Sequence, residues 1–151
     1  MSQMLLSINP EHVKNILSGS KQFEFRKVRC KPDVDKIIIY ATAPQKMVVA
    51  EAEIEETIEG AILNVWEQTK DFAGISYDFF RSYYEGRKTA VAYRLRNVEV
   101  YEQPKNLSEY GVTHPPQSFI YLESVSRITS ESSYRPQMED LFASYFDDME
   151  R

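Results

Sequence analysis

The pattern of apolar and polar positions in the first third of the chain predicts a strand, a helix and two further strands. Residues 4–8 form a short apolar run that predicts a strand, and residues 10–18 carry apolar side chains at helical spacing after a proline. Residues 21–26 then alternate, with two phenylalanines on one face and charged side chains on the other. Residues 36–43 contain an unbroken β-branched run, typical of a central strand covered on both faces.

The middle of the chain predicts another strand, two helices and a long strand. Residues 47–55 alternate between apolar and acidic positions, whereas residues 60–70 and 76–85 carry apolar side chains at helical spacing. The run at residues 88–101 reads as one strand in which the apolar phase changes. Because a phase change moves the apolar side chains to the other face, it predicts a bulge or bend near Arg96.

The last third predicts a final core strand and a helical tail. Residues 117–122 follow a double proline and form the strand, and residues 124–134 read as a loose connection or an edge partner. Residues 138–149 carry an apolar stripe at helical spacing. We expect one α+β domain over residues 1–123, with a C-terminal amphipathic helix that docks on it or on a second copy of the chain.

Composition narrows the class of protein. The 151 residues suffice for one domain, and 42% hydrophobic with 27% charged residues is ordinary for a globular chain. A net charge of -5 argues against a broad, sequence-blind DNA-binding face, so any nucleic-acid contact should be local. No long apolar run or basic leader occurs, which predicts a soluble, cytoplasmic protein without a membrane partner.

The octapeptide at residues 19–26 carries the strongest candidate chemistry. Glycine ends the preceding helix, and Glu24 and Arg26 then share one strand face, roughly 7 Å apart. One interpretation is a solvated strand with weak charge pairing. The other is a polar pocket, in which apolar neighbours lower the local dielectric and Lys21 with Glu24 forms a site for a polar ligand. The residues alone leave both open.

Other candidate ligand contacts lie at strand ends. Tyr40 and Thr42 come at the end of the central strand, where binding residues often gather. Gln117 and Ser118 follow the double proline, and an amide can read a base edge with its paired donor and acceptor. A buried tyrosine, a turn-capping threonine and a strand entry that caps its own backbone are the structural alternatives.

Cysteine and histidine offer little further chemistry. Cys30 is the single cysteine, so an internal disulfide is excluded. Its neighbours Arg29 and Lys31 could lower the pKa of the thiol, but Lys27 and Arg29 resemble a hairpin tip, so a surface thiol is the more ordinary interpretation. His12 and His114 lack a matching nucleophile and acid, so a catalytic triad is improbable. No cluster has metal-ligand spacing, and we expect no metal and no cofactor.

The motifs together resemble a known family. The pattern Leu-Ser-Ile-x-Pro at residues 6–10, followed by a helix and Gly-x-Lys-x-x-Glu-x-Arg at residues 19–26, is similar to the ASCH domains of the PUA-like superfamily. Further likeness extends over roughly residues 4–123. The resemblance implies a small, mixed or antiparallel β-barrel with flanking helices.

The resemblance also implies a function. It points to a module that binds RNA, a nucleotide or a modified nucleoside, in RNA metabolism or in transcriptional or translational regulation, with Lys21, Glu24 and Arg26 at the matched positions. Some relatives are amidohydrolases acting on acetylated cytidine, which use a lysine and a threonine three residues later. Glu24 occupies that threonine position here, so the hydroxyl is lost, although a glutamate can act as a general base.

Three functions therefore remain open. The first is RNA or nucleotide binding by Lys21, Glu24 and Arg26, with Tyr40, Thr42, Gln117 and Ser118 nearby. The second is an amidohydrolase or ribonuclease with Lys21 and Glu24 as the catalytic residues. The third is a protein-interaction module that uses the C-terminal helix. We expect the chain to be a monomer or to form a weak homodimer through that helix.

Overall fold

The computed structural model describes residues 2–122, which form a mixed six-stranded sheet flanked by helices. The strands are β1 (Ser2–Ile8), β2 (Phe23–Arg26), β3 (Val34–Ala41), β4 (Met47–Ala61), β5 (Thr89–Lys105) and β6 (Phe119–Leu122). The helices are α1 (Pro10–Ser18), α2 (Ile62–Thr69) and α3 (Tyr77–Tyr83), with short 3-10 turns at Lys70–Phe72 and Leu107–Tyr110. The α+β class predicted from the sequence is confirmed.

The strand order is β2-β5-β4-β3-β1-β6, with β1 and β3 parallel and the other pairs antiparallel. The expectation of a closed β-barrel is wrong for the described residues. The sheet ends at β2 on one side and at β6 on the other, and each of these strands has only four residues. Because neither edge carries a backbone ladder to the other, the sheet stays open there.

Helix α1 begins and ends where the sequence predicts it. The Asn9 side chain accepts a hydrogen bond from the Glu11 N–H at 2.9 Å, and Pro10 occupies the first helical position. Gly19 ends the helix with φ of 90°, a left-handed conformation that glycine adopts without strain. This turn sends the chain directly into the charged octapeptide.

Apolar side chains are buried on both faces of the sheet. The first core lies under α1 and takes side chains from five strands, among them Leu6, Ile39 and Tyr93. A second core lies on the opposite face of β2 and β5, beneath α2 and α3, and includes Phe25 and Phe80. A third packs the turn at Leu107–Tyr110 against β1, β3 and β6.

Strand β5 contains the predicted irregularity. Glu53 pairs with Arg96 while Glu51 pairs with Glu99, so β5 has one residue more than β4 over this interval. Asn97 has φ of 51°, in the left-handed region that asparagine tolerates better than most residues. The bulge thus lies next to Arg96, as the phase change predicts.

Several boundaries differ from the prediction: β5 continues past Tyr101 to Lys105, and β6 begins at Phe119 instead of Gln117. Strand β4 continues past Glu55 to Ala61, because its last residues pair with the first residues of β5. Helix α2 consequently begins at Ile62. The predicted connection at residues 124–134 and the predicted helix at residues 138–149 lie outside the described residues.

A membrane-crossing helix would need a long apolar stretch. In the part of the chain that the structure describes, no helix is long and apolar enough to span a membrane.

Candidate ligand-binding site

Arg26, the last residue of β2, reaches across the open side of the sheet. Its Nη1 donates to Ser118 Oγ at 2.9 Å, and its Nη2 donates to the Ser7 carbonyl oxygen at 3.2 Å. Ser7 lies on β1, and Ser118 directly precedes β6. One side chain therefore bridges the gap that the backbone ladders leave between the two ends of the sheet.

Glu24 holds the Arg26 guanidinium in place. Its Oε2 accepts from Nε at 3.1 Å and from Nη2 at 2.8 Å. The side chains of Arg26 and Glu24 are only 4% and 8% exposed, so the pair lies away from solvent. Both lie on the face opposite Phe23 and Phe25, as the alternation of the sequence predicts.

Lys21 is also buried, at the entrance to β2. Its Nζ donates to the Ala73 carbonyl oxygen at 2.8 Å and lies 4.9 Å from the centre of the Phe25 ring. The loop between α2 and α3 passes directly over its aliphatic stem. A Cβ added at Gly74 would come within 2.3 Å of Lys21 Cβ. Lys21 is therefore tightly packed by this loop.

Several other predicted residues gather at the ends of β1 and β3. The Ser7 N–H donates to the Ser118 carbonyl oxygen at 2.9 Å, and Ser7 is the register partner of Tyr40. The Thr42 N–H donates to the Ile8 carbonyl oxygen at 3.1 Å. Burial raises the pKa of Tyr40. Ser118, Ser7 and Tyr40 thus form a row across three adjacent strands.

Two residues beside this row are more exposed to solvent. Thr42 is half-buried and Gln117 is exposed, whereas Tyr40 and Ser118 are buried. We call Thr42 and Gln117 the mouth of the site. Lys46 lies in the turn that Thr42 begins, is exposed, and has φ of 54°. Such a backbone is uncommon for lysine, and unusual backbones often occur at functional sites.

Sequence reasoning did not place Lys46 or His12 in the site. The Lys46 conformation has no local sequence signal apart from the turn itself. His12 lies on α1, and its charged neighbours are Lys21, Glu24 and Arg26, which the sequence separates from it. The turn from α1 into β2, in which the Lys21 N–H donates to the Asn15 carbonyl oxygen at 3.0 Å, brings Lys21 back towards this helix.

The surroundings of His12 favour its uncharged form. Burial lowers its pKa, and the positive charges of Lys21 and Arg26 add to that effect, whereas Glu24 and Glu11 oppose it. Its Nδ1 is buried and has no hydrogen-bond partner among the described residues. The ring packs edge-on against Phe79 at 5.3 Å.

Cys30 and three aromatic residues at α3 lie in the cores. The expectation of a surface thiol at Cys30 is wrong, because the residue is buried and its N–H donates to Tyr93 Oη at 2.7 Å. Burial raises the pKa of the thiol, which keeps it protonated. The aromatic residues Phe80, Tyr83 and Tyr84 pack into the second core.

A separate cleft of about 380 Å³ lies on the α1 side of β5. Its wall includes Lys21 and Gln22, the end of α1 and the bulge of β5 at residues 95–98. Within residues 2–122, no group of three or more histidine, cysteine, aspartate or glutamate residues is arranged to hold a metal ion.

Comparison with known proteins identifies the family. A family model described as a domain of unknown function, DUF365, matches residues 6–122. An ASCH domain-containing ribonuclease of Zymomonas mobilis is 33% identical over 138 residues, covering 87% of this chain and 93% of the relative. The chain belongs to the ASCH domain family. The resemblance found in its motifs is thereby confirmed.

Solved ASCH structures share this fold. The crystal structure of ASCH from Zymomonas mobilis matches with a TM-score of 0.74 at 31% identity, over 89% of this chain and 96% of that chain. The chain is also similar to a longer protein, the large ribosomal subunit protein uL22 of Ureaplasma parvum serovar 3, which is 31% identical over 121 residues. That match covers 80% of this chain, which spans only 39% of the length of the relative.

Proposed function

We propose that this ASCH chain binds single-stranded RNA, or a nucleotide derived from it, at the mouth formed by Thr42 and Gln117. The observation that carries the proposal is the bridge from Arg26 to Ser118, next to Gln117, and to Ser7 on β1, the strand whose Ile8 carbonyl oxygen accepts from the Thr42 N–H. The relative from Zymomonas mobilis, named a ribonuclease, supports RNA as the ligand class.

The available groups suit a nucleotide. A threonine hydroxyl and a glutamine amide both donate and accept, so Thr42 and Gln117 can bond a ribose hydroxyl or a base edge. The positive charge of Arg26 is largely balanced by Glu24 at 2.8 Å, so the pair acts as a positioning element behind the mouth. Ser118 accepts from Arg26, Tyr40 packs in the third core, and Lys21 fixes the α2–α3 loop.

Binding is tested by titrating the full chain with nucleosides and with a labelled single-stranded RNA of about 12 nucleotides. We expect Gln117→Ala to weaken binding by roughly 5-fold, since one lost hydrogen bond is worth about 1 kcal/mol. The matched control is Gln68→Ala, which alters an exposed glutamine on α2. Equal affinity for the wild type, Gln117→Ala and Thr42→Val would contradict the site.

The second candidate function is hydrolysis of RNA or of a modified nucleoside. It is favoured by the name of the Zymomonas relative and by His12, whose pKa is lowered first by burial and then by Lys21. In this proposal Glu24 acts as acid or base, and Lys21 polarises the scissile group. Lys46, which is exposed in the turn that begins at Thr42, is a further candidate for polarising the scissile group.

Turnover separates the two functions. The full chain is incubated at high concentration with labelled RNA and with acetylated cytidine, without added metal and again with Mg²⁺. Product that disappears in Glu24→Gln and in Lys46→Met, while both variants keep the circular dichroism of the wild type, supports hydrolysis. If the chain binds RNA but neither substrate changes, the hydrolase proposal is contradicted and only the binding function is supported.

A further inference from the structure

Positive charge is concentrated in two short segments of an acidic chain. The chain as a whole has 18 lysines and arginines against 23 aspartates and glutamates. Residues 26–31 and 81–88 contain one acidic residue, Glu85, against seven basic ones: Arg26, Lys27, Arg29, Lys31, Arg81, Arg87 and Lys88. Such a departure from the average charge marks a local electrostatic surface.

The fold brings the two segments together beside the candidate site. Tyr84 Oη donates to the Arg26 carbonyl oxygen at 2.9 Å, and Arg87 Nη2 donates to the Lys27 carbonyl oxygen at 3.1 Å. The Lys31 N–H donates to Tyr121 Oη at 3.2 Å, which joins the first segment to β6. The basic surface, defined as the exposed residues Arg29, Lys31, Arg81, Arg87 and Lys88, therefore adjoins the bridge.

Its charges are less neutralised than those elsewhere on the sheet. On β3 and β5 the cations Lys36, Arg94 and Arg96 are each paired with a glutamate within 3.1 Å. In the basic surface only Arg29 has such a partner among the described residues, Glu59 at 2.8 Å. The surface thus keeps charge available for an anionic ligand.

An exposed aromatic ring lies next to this charge. Tyr77 is 37% exposed and packs on Trp66 with the ring centres 5.4 Å apart. It lies four residues before Arg81 on α3, so the two share one helix face. A ring beside an arginine is the combination that holds an unpaired base next to its phosphate, which favours single-stranded RNA over an acidic peptide.

We propose that the basic surface binds the sugar-phosphate backbone of single-stranded RNA and leads that strand to the mouth at Thr42 and Gln117. This inference rests on the proposed function, and it assigns the contacts outside the mouth. The mouth recognises one nucleotide, and the basic surface supplies affinity that is independent of sequence and sensitive to salt.

The test measures how RNA affinity depends on salt. The full chain binds a labelled oligouridine of about 12 nucleotides over about 50 to 200 mM salt. The double variant Arg81→Gln, Lys88→Gln removes two exposed charges that have no described ion pair. Each phosphate contact to a single strand contributes about 0.7 to the steepness with which log K falls with log salt. We therefore expect the slope of the double variant to be shallower than that of the wild type by about 1.4.

The matched control is Lys14→Gln, Lys105→Gln, which removes the same charge from exposed positions outside the basic surface. It should keep the wild-type slope. If the wild type binds and Gln117→Ala weakens binding, but the Arg81, Lys88 variant keeps its slope, the basic surface is wrong and the mouth stands. Polyglutamate that binds as tightly as the oligouridine overturns RNA as the occupant, and a wild type that binds no RNA overturns both proposals.

Discussion

Arg26 and Glu24 show how a buried ion pair can be tolerated in this fold. Moving two charges out of water is costly, and their attraction compensates for that cost only when further hydrogen bonds satisfy the remaining donors. Arg26 meets this condition through Ser118 and Ser7, at 2.9 and 3.2 Å. The planar fork of arginine allows three directions of bonding at once, which lysine does not provide.

Removing one member of this pair should destabilise the fold strongly. We expect Arg26→Met to lower the free energy of unfolding by about 3–5 kcal/mol, because Glu24 is then left buried and unpaired. The double variant Glu24→Met, Arg26→Met should recover most of that loss. Urea unfolding of the wild type, both single variants and the double variant measures the coupling. Additive effects of the two substitutions would contradict a tightly coupled pair.

At the residue scale, the sequence predicted on which face of the strand a side chain lies, but not which residues it bonds. Alternation along residues 21–26 predicted that Glu24 and Arg26 share a face, because side chains in a strand follow a period of two. The partners of Arg26 lie 19 and 92 residues away, at Ser7 and Ser118. No local pattern encodes contacts at that distance, although the resemblance to the family marked the residues themselves.

Among the elements, the loop between α2 and α3 is fixed by its close approach to β2. The Gln22 N–H donates to the Phe72 carbonyl oxygen at 2.8 Å, and Lys21 donates to the Ala73 carbonyl oxygen. Gly74 leaves no room for a side chain there and has φ of 72°. Contacts from the backbone therefore join the helical half of the chain to the charged strand.

Gly74→Ala should separate crowding from backbone strain. Gly86 has φ of 81° but open space around it, so Gly86→Ala introduces only the strain of a left-handed alanine, about 1–2 kcal/mol. Gly74→Ala adds a clash with Lys21 and should cost about 1–3 kcal/mol more. Thermal and urea unfolding of the two variants compare them directly, and equal losses would show that Lys21 is not closely packed by the loop.

The strands show what local patterns can predict. The phase change in β5 correctly predicted the bulge, because the alternation of apolar and polar positions can be followed within that one strand. The extension of β4 from Glu55 to Ala61 was missed, since it depends on pairing with Thr89 and the residues after it. The closed barrel was also wrong, because closure depends on which edge strands meet.

The whole molecule has its cores on both faces of one sheet, and His12 lies where α1, α3 and β2 approach each other. Its pKa is lowered from 6.5, first by burial and then by Lys21 and Arg26, against Glu24 and Glu11. The folded state therefore binds a proton at this residue less readily than the unfolded state.

Stability should fall as the pH drops below about 6.5, because there the unfolded state takes up a proton at His12 that the folded state excludes. Above that pH the imidazole is neutral in both states and the effect vanishes. Urea unfolding at about pH 7.5 and about pH 5.5 measures it. We expect His12→Gln to lose less stability over this interval than the wild type, while the control His114→Gln, at an exposed position, behaves as the wild type.

The open sheet also has a consequence for association between copies of the chain. Among the described residues, its terminal strands β2 and β6 are four residues long, so each offers few unpaired backbone groups to another strand. The part of β5 beyond β2 is longer, but it carries the bulge at Asn97, charged side chains and Pro104. Such features disfavour edge-to-edge addition of strands, so a sheet held by a side chain can stay open without becoming a template for aggregation.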